Sequence, residues 1–131
     1  MAVTLTTTYF MWSKTPITFN QSDQPAHVAT PGWHALVVDL VVGGTRLCKV
    51  LMDGGIGLNI LYAQTLKGIG ILMSRLSESN MQFHGVILGK KVKSLGQIAL
   101  DVVFGDSKNF WKEKLTFEVV DFHSAYHAIL R

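Results

Sequence analysis

Apolar and polar positions divide the chain into short runs punctuated by glycine. Leu36 to Val42 is apolar around Asp39, Gly43-Gly44 supplies two residues that accept positive φ, and Arg46 to Met52 is a second apolar run. Two runs joined by Gly-Gly predict a β-hairpin. In its second arm Arg46, Cys48, Val50 and Met52 share one face, and Leu47, Lys49, Leu51 and Asp53 the other. Leu58, Leu61, Tyr62 and Leu66 stand at helical spacing, predicting a helix of two to three turns within Leu58 to Lys67, ended by Gly68 and Gly70. Met81 to Phe83 and Val86 to Leu88 flank His84-Gly85 and predict a second hairpin with an exposed, mobile tip at Gly89-Lys90-Lys91. Ile98, Leu100, Val102 and Phe104 alternate with Gln97, Ala99, Asp101 and Val103, the period of a half-buried strand. Gly105 to Asn109 is a polar turn, Leu115, Phe117 and Val119 alternate along another strand, and Ala128 to Leu130 is a last apolar run. About seven short strands and one helix predict a mainly β domain, a small barrel or sandwich.

The pattern is irregular over 1–32, with Pro16, Pro25, Pro31 and the polar cluster Asn20 to Gln24, which is not expected to hold a regular element. That stretch reads as an extended, partly mobile lead-in to a domain over 33–131. The 131 residues suit one domain. Hydrophobic residues make up 48% and charged residues 16%, against roughly 25% charged in an average domain, so general disorder is excluded. Sparse charge also suggests apolar surface covered by a partner or a second copy. A net charge of +3, with no long basic run, gives no footing for nucleic-acid binding. Met1 to Trp12 is Thr-rich with no base before Lys14, unlike a signal peptide, and Gly54 to Leu66 is too short and polar to span a bilayer. The expectation is an intracellular, cytoplasmic protein without membrane attachment.

A single cysteine, Cys48, excludes an internal disulfide framework and a Cys-rich zinc module. It reads as a small core residue, since no histidine adjoins it in sequence. His123 and His127 are four apart, but Ser124 stands where a zinc protease carries its glutamate and a third ligand is lacking, so no metal and no cofactor is expected. Trp12, Trp33 and Trp111 read as packing or interface residues, and Lys90, Lys91 and Lys93 as a solvated tip. Asp53 is the most informative position. It ends an apolar strand and precedes two residues without side chains, where other backbone can approach closely. Spacing alone leaves two readings: a turn aspartate capping the amides of Gly55 or Ile56, or a functional carboxylate.

The order of these segments resembles the retropepsins, the aspartic proteases of retroviruses and retrotransposons. Leu36 to Gly44, Val50-Leu51-Met52-Asp53-Gly54-Gly55 and Leu58-Asn59-Ile60-Leu61 resemble the first half of that family. Phe83-His84-Gly85 with Gly89-Lys90 resembles its flap. Leu95-Gly96-Gln97-Ile98, Phe104-Gly105, Phe117 to Asp121 and Tyr126 to Leu130 resemble its second half. The similarity runs from about Ile17 to Leu130 and is greatest to the protease region of plant Ty3/gypsy-type polyproteins.

The resemblance implies a small closed β-barrel with one short helix and a homodimer that cleaves a polypeptide substrate. One Asp53 from each chain would meet at the two-fold axis, Gly54 and Gly55 would form the active-site loop, and His84, Gly85 and Gly89 would belong to a flap over 83–93. Two carboxylates at one site cannot both ionise easily, so the pair would share a proton. The ionised member would take a proton from the attacking water, and the protonated one would polarise the peptide carbonyl. The sequence departs from the family's pattern in three places. Gly54 replaces the usual Thr or Ser, Ile56-Gly57 stands where related elements have Ser-Ser, and Ile129-Leu130-Arg131 stands where the family continues into a helix and interface strand. The domain is accordingly expected to be C-terminally truncated relative to the family. The alternative function is a catalytically inactive retropepsin-like fragment or interaction module.

Overall fold

The computed structural model describes residues 20–23, 35–87 and 90–131. The expectations for the rest of 1–32, including Trp12, and for Trp33, Leu88 and Gly89 concern positions outside the described residues. Within the lead-in, Gln21–Asp23 forms one turn of 3-10 helix in the cluster expected to hold no element, and Asn20 Oδ1 accepts the Ser22 N–H at 2.8 Å. A short polar side chain bonding its own backbone two residues on is enough to close such a turn.

Strands β1 (Leu36–Val42) and β2 (Thr45–Met52) form the predicted hairpin. Gly43 and Gly44 have φ of 56° and 83°, the two positive values that a two-residue turn of this hand demands. The pairing is not regular. Val38 faces Val50 but Leu40 faces Leu47, so β2 carries one extra residue at a bulge. The bulge changes which side chains face inward: Leu47 and Val50 are both buried, and Cys48 is exposed. The expectation of a core cysteine is therefore overturned, because strict alternation does not survive an inserted residue.

The next stretch differs from its predicted helix in its first half. Asn59–Tyr62 is strand β3, and helix α1 follows over Ala63–Ile69, with Gly68 inside it and Gly70 as its left-handed C-cap. A 3-10 turn at Met73–Arg75 leads to β4 (Gln82–Ile87) and β5 (Lys90–Lys93). Strands β6 (Gly96–Gly105) and β7 (Phe110–Val120) make a long hairpin around the expected polar turn, and β8 is Ala128–Leu130. The structure thus has eight strands among the described residues, one more than the predicted count.

Six strands close into a barrel in the order β1-β2-β8-β3-β7-β6, with β1 also paired to β6. The chain is mainly β, a closed six-stranded barrel with one short helix, as expected. Strand β8 lies between β2, which it meets in parallel, and β3, which it meets antiparallel. Val42, Val50, Leu61, Leu66, Val102, Phe117, Val119 and Leu130 fill the main core. A second cluster, Ile60, Tyr62, Val120 and Ile129, packs on the other face of β3, β7 and β8. Strands β4 and β5 stand apart as a separate two-stranded sheet. Among the described residues, no helix is long and apolar enough to cross a membrane.

Candidate functional site

Asp53 follows β2 directly, and its main chain is set by β8. Met52 pairs with Leu130, and the Asp53 N–H donates to Leu130 O at 2.8 Å, extending the parallel ladder by one bond. Beyond it the chain turns: Ile56 N–H donates to Asp53 O at 3.3 Å and Gly55 N–H to Asp53 Oδ1 at 3.0 Å. The amide of Gly55 is thus capped as the turn reading expected, and the whole turn 53–55 is exposed. Capping uses one carboxylate oxygen and does not remove the group from solvent. A side chain at Gly54 would meet nothing within 4 Å, whereas a Cβ at Gly55 would stand 3.3 Å from Asp53 Oδ1. Gly55 therefore sits where the turn closes on the carboxylate.

The far side of the turn is braced by a residue to which the sequence assigned no role. Asn59 Oδ1 accepts the Arg131 N–H at 3.1 Å, and Asn59 Nδ2 donates to Thr116 O at 3.2 Å. Arg131 Nη1 donates to Gly57 O at 3.3 Å. These bonds tie the start of β3 to β7 and to the end of β8, fixing both ends of the loop that carries Asp53. Asn59 at the head of an apolar run was the only local signal, and its partners lie far away in sequence. A cavity of about 620 Å³ flanks this loop, with Met52, Leu58, Leu115 and Leu130 as apolar wall and Glu113, Glu118 and Arg131 as charged groups. Beside Asp53, Leu36 and Val37 pair with Met52 and Leu51 and remain exposed, an apolar strand start on the surface.

His84 and Gly85 lie in β4, where His84 pairs with Lys91, and the register slips before Ile87 meets Lys90. Lys90 and Lys91 belong to β5 rather than to a turn. The foot of this hairpin is anchored to the barrel. Ser94 N–H donates to Met81 O at 3.0 Å, Leu95 N–H to Val119 O at 2.8 Å, and Ser77 and Gln97 exchange two bonds of 2.9 Å. Ser94 Oγ donates to Glu118 Oε2 at 2.7 Å and accepts the Gly96 N–H at 3.1 Å. Glu118 is only 6% exposed although it stands on the face of β7 opposite Phe117, so its carboxylate depends on that hydroxyl.

His123 and His127 do not share a helix, since the chain between β7 and β8 is irregular. His127 instead anchors that segment, its Nδ1 accepting the Lys49 N–H at 3.3 Å. Among the described residues no group of three His, Cys, Asp or Glu is placed to hold a metal ion. Trp111 is half-buried, with its Nε1 toward Glu113 at 3.4 Å.

No family model matches the chain, and no curated protein matches it. Solved structures do. A retropepsin-like aspartic protease from Rickettsia conorii is similar over 73% of this chain and 66% of its own, at 18% identity and a TM-score of 0.52. The retroviral protease-like domain of Ddi1 from Leishmania major is similar over 73% of this chain and 70% of its own, at 20% identity and a TM-score of 0.49. EIAV protease, complexed with the inhibitor HBY-793, shares 18% identity over 79% of this chain and 86% of its own, with a TM-score of 0.39. The Rickettsia likeness shows a retropepsin-like fold. At these identities the likeness speaks to fold alone.

Proposed function

We propose that the chain is an aspartic endopeptidase of the retropepsin type, of the kind carried in plant Ty3/gypsy polyproteins, acting as a homodimer with Asp53 of each subunit at the shared site. The observation that carries this reading is Asp53 itself: an exposed carboxylate at the end of a barrel strand, its main chain fixed by Leu130 and one oxygen held by Gly55. A barrel that presents one fixed carboxylate supplies half of a two-carboxylate site, and two-fold symmetry supplies the other half. The exposed start of β1 at Leu36 and Val37 offers apolar surface for self-association beside that carboxylate. In the pair, one carboxylate takes a proton from water while the other, protonated, hydrogen-bonds the scissile carbonyl. In this reading the β4–β5 hairpin, on its anchored foot, acts as the flap that covers a bound polypeptide and excludes water.

Peptide cleavage by wild type and Asp53→Asn tests the reading. General acid–base catalysis contributes about 10²- to 10⁴-fold, so the variant is expected to lose at least about 100-fold in rate. Equal rates for the two proteins would rule the proposal out. A second reading, a binding module without turnover, is favoured by one observation: Gly54, Ile56 and Gly57 put no hydroxyl beside Asp53, whose Oδ1 is satisfied within its own turn. Sedimentation separates the two, because a chain that stays monomeric at micromolar concentration cannot form a shared site.

A further inference from the structure

A second cavity, of about 300 Å³, opens at the other end of β2, between Thr45–Leu47, helix α1 and the segment leading into β8. The extended strand between Leu47 and Asp53 spans about 20 Å, so this cavity is separate from the Asp53 turn. Its wall is built rather than incidental. His127 N–H donates to Lys49 O at 2.8 Å, Thr65 Oγ1 donates to His127 O at 2.7 Å, and Tyr126 N–H donates to Ser124 Oγ at 3.1 Å.

These bonds decide what the lining can offer. Because His127 Nδ1 accepts from Lys49 N–H, the ring hydrogen sits on Nε2, which is left to donate. Ser124 Oγ has accepted a hydrogen bond and keeps its O–H to give. Arg46 spends Nη1 on Asp39 at 2.8 Å and has further N–H groups on the same planar fork. No Asp or Glu is among the lining residues, while Leu47, Tyr62 and Ile69 supply apolar and aromatic wall. The lining holds one cationic side chain, Arg46, and no carboxylate, and the hydroxyl and amide groups of Thr45, Gln64 and Tyr126 beside it can donate as well as accept, so the charge balance with the apolar wall favours an anion with an apolar body. A guanidinium fork matches the geometry of a carboxylate, and the volume sits at the small end of ligand pockets.

We propose that this cavity binds a small carboxylate carried on an apolar or aromatic body, gripped by Arg46, Ser124 and His127. The test is calorimetric titration of the full chain with N-acetyl-phenylalanine, its neutral amide and inorganic phosphate. Saturable one-to-one binding of the carboxylate is expected, with the amide at least about tenfold weaker. Arg46→Gln is expected to weaken binding about tenfold. Asp39→Asn, which releases the guanidinium from its ion pair, is expected to leave binding equal or tighter. Asp53→Asn is expected to bind as wild type, which keeps this result independent of proteolysis. Equal affinity for acid and amide, full affinity in Arg46→Gln, loss of binding in Asp39→Asn, or tighter binding of phosphate than of the carboxylate would each overturn the proposal.

Discussion

At the scale of single residues, the two glycines after Asp53 have different duties. Nothing lies within 4 Å of a Cβ built on Gly54, and its φ is not positive, so Gly54→Ser is expected to fold with stability within about 0.5 kcal/mol of wild type. Gly55→Ala puts a methyl group 3.3 Å from Asp53 Oδ1, so that carboxylate must give by a few tenths of an ångström. If the site is catalytic, peptide cleavage by Gly55→Ala should fall well below that by Gly54→Ser, while thermal unfolding shows both variants folded. Asp106 provides a residue-level test of pH dependence. Hydrogen bonds from the Asn109 and Lys108 amides, each 2.8 Å to its Oδ1, hold its carboxyl below the ordinary value of 3.8. A lowered folded value stabilises the fold above 3.8 and is lost as pH falls through the lower value. Wild type should therefore lose its advantage over Asp106→Asn between pH 4 and strongly acid solution, and urea titrations at stepped pH would show the two curves converging. Parallel curves would mean that those amides do not favour the ionised form.

At the scale of elements, the β4–β5 hairpin stands on a polar foot inside an otherwise apolar seam. Ser94→Ala removes the donor to Glu118 Oε2 and leaves a buried carboxylate short of a partner, a loss expected to cost about 1–3 kcal/mol in chemical denaturation. Glu118→Gln keeps an acceptor for Ser94 and should cost less. The elements also show where a sequence speaks clearly. Gly43-Gly44 states the first hairpin outright, because few other residues supply two positive φ values in a row. The bulge in β2 leaves no mark in the sequence, since Leu47 to Val50 reads as plain alternation, which puts Cys48 on the face of Val50, whereas the inserted residue leaves Cys48 exposed. Strand β3 reads as helix in the sequence because both of its faces are covered. Leu61 enters the main core and Ile60 and Tyr62 the second cluster, so no period of two appears. The Asp53 turn was legible because its features are contiguous. The Asn59 and Arg131 brace was not, because it exists only once β3, β7 and β8 have met.

At the scale of the whole molecule, barrel closure gathers the apolar residues of a chain with little charge into two clusters on either side of one sheet seam. Phe117 is fully buried in the main core, and Phe117→Ala is expected to cost about 3–5 kcal/mol by denaturant unfolding, whereas Val37→Ala at the exposed start of β1 should cost under about 0.5 kcal/mol. Similar losses for both would mean that the barrel interior is not the stabilising core. The insertion of β8 between β2 and β3 carries a consequence for how the protein is made. Lys49 and His127, bonded across that seam, are 78 residues apart in the chain. On the ribosome, β2 and β3 emerge long before the three residues that join them, and for that interval both offer naked edges to any neighbouring nascent chain.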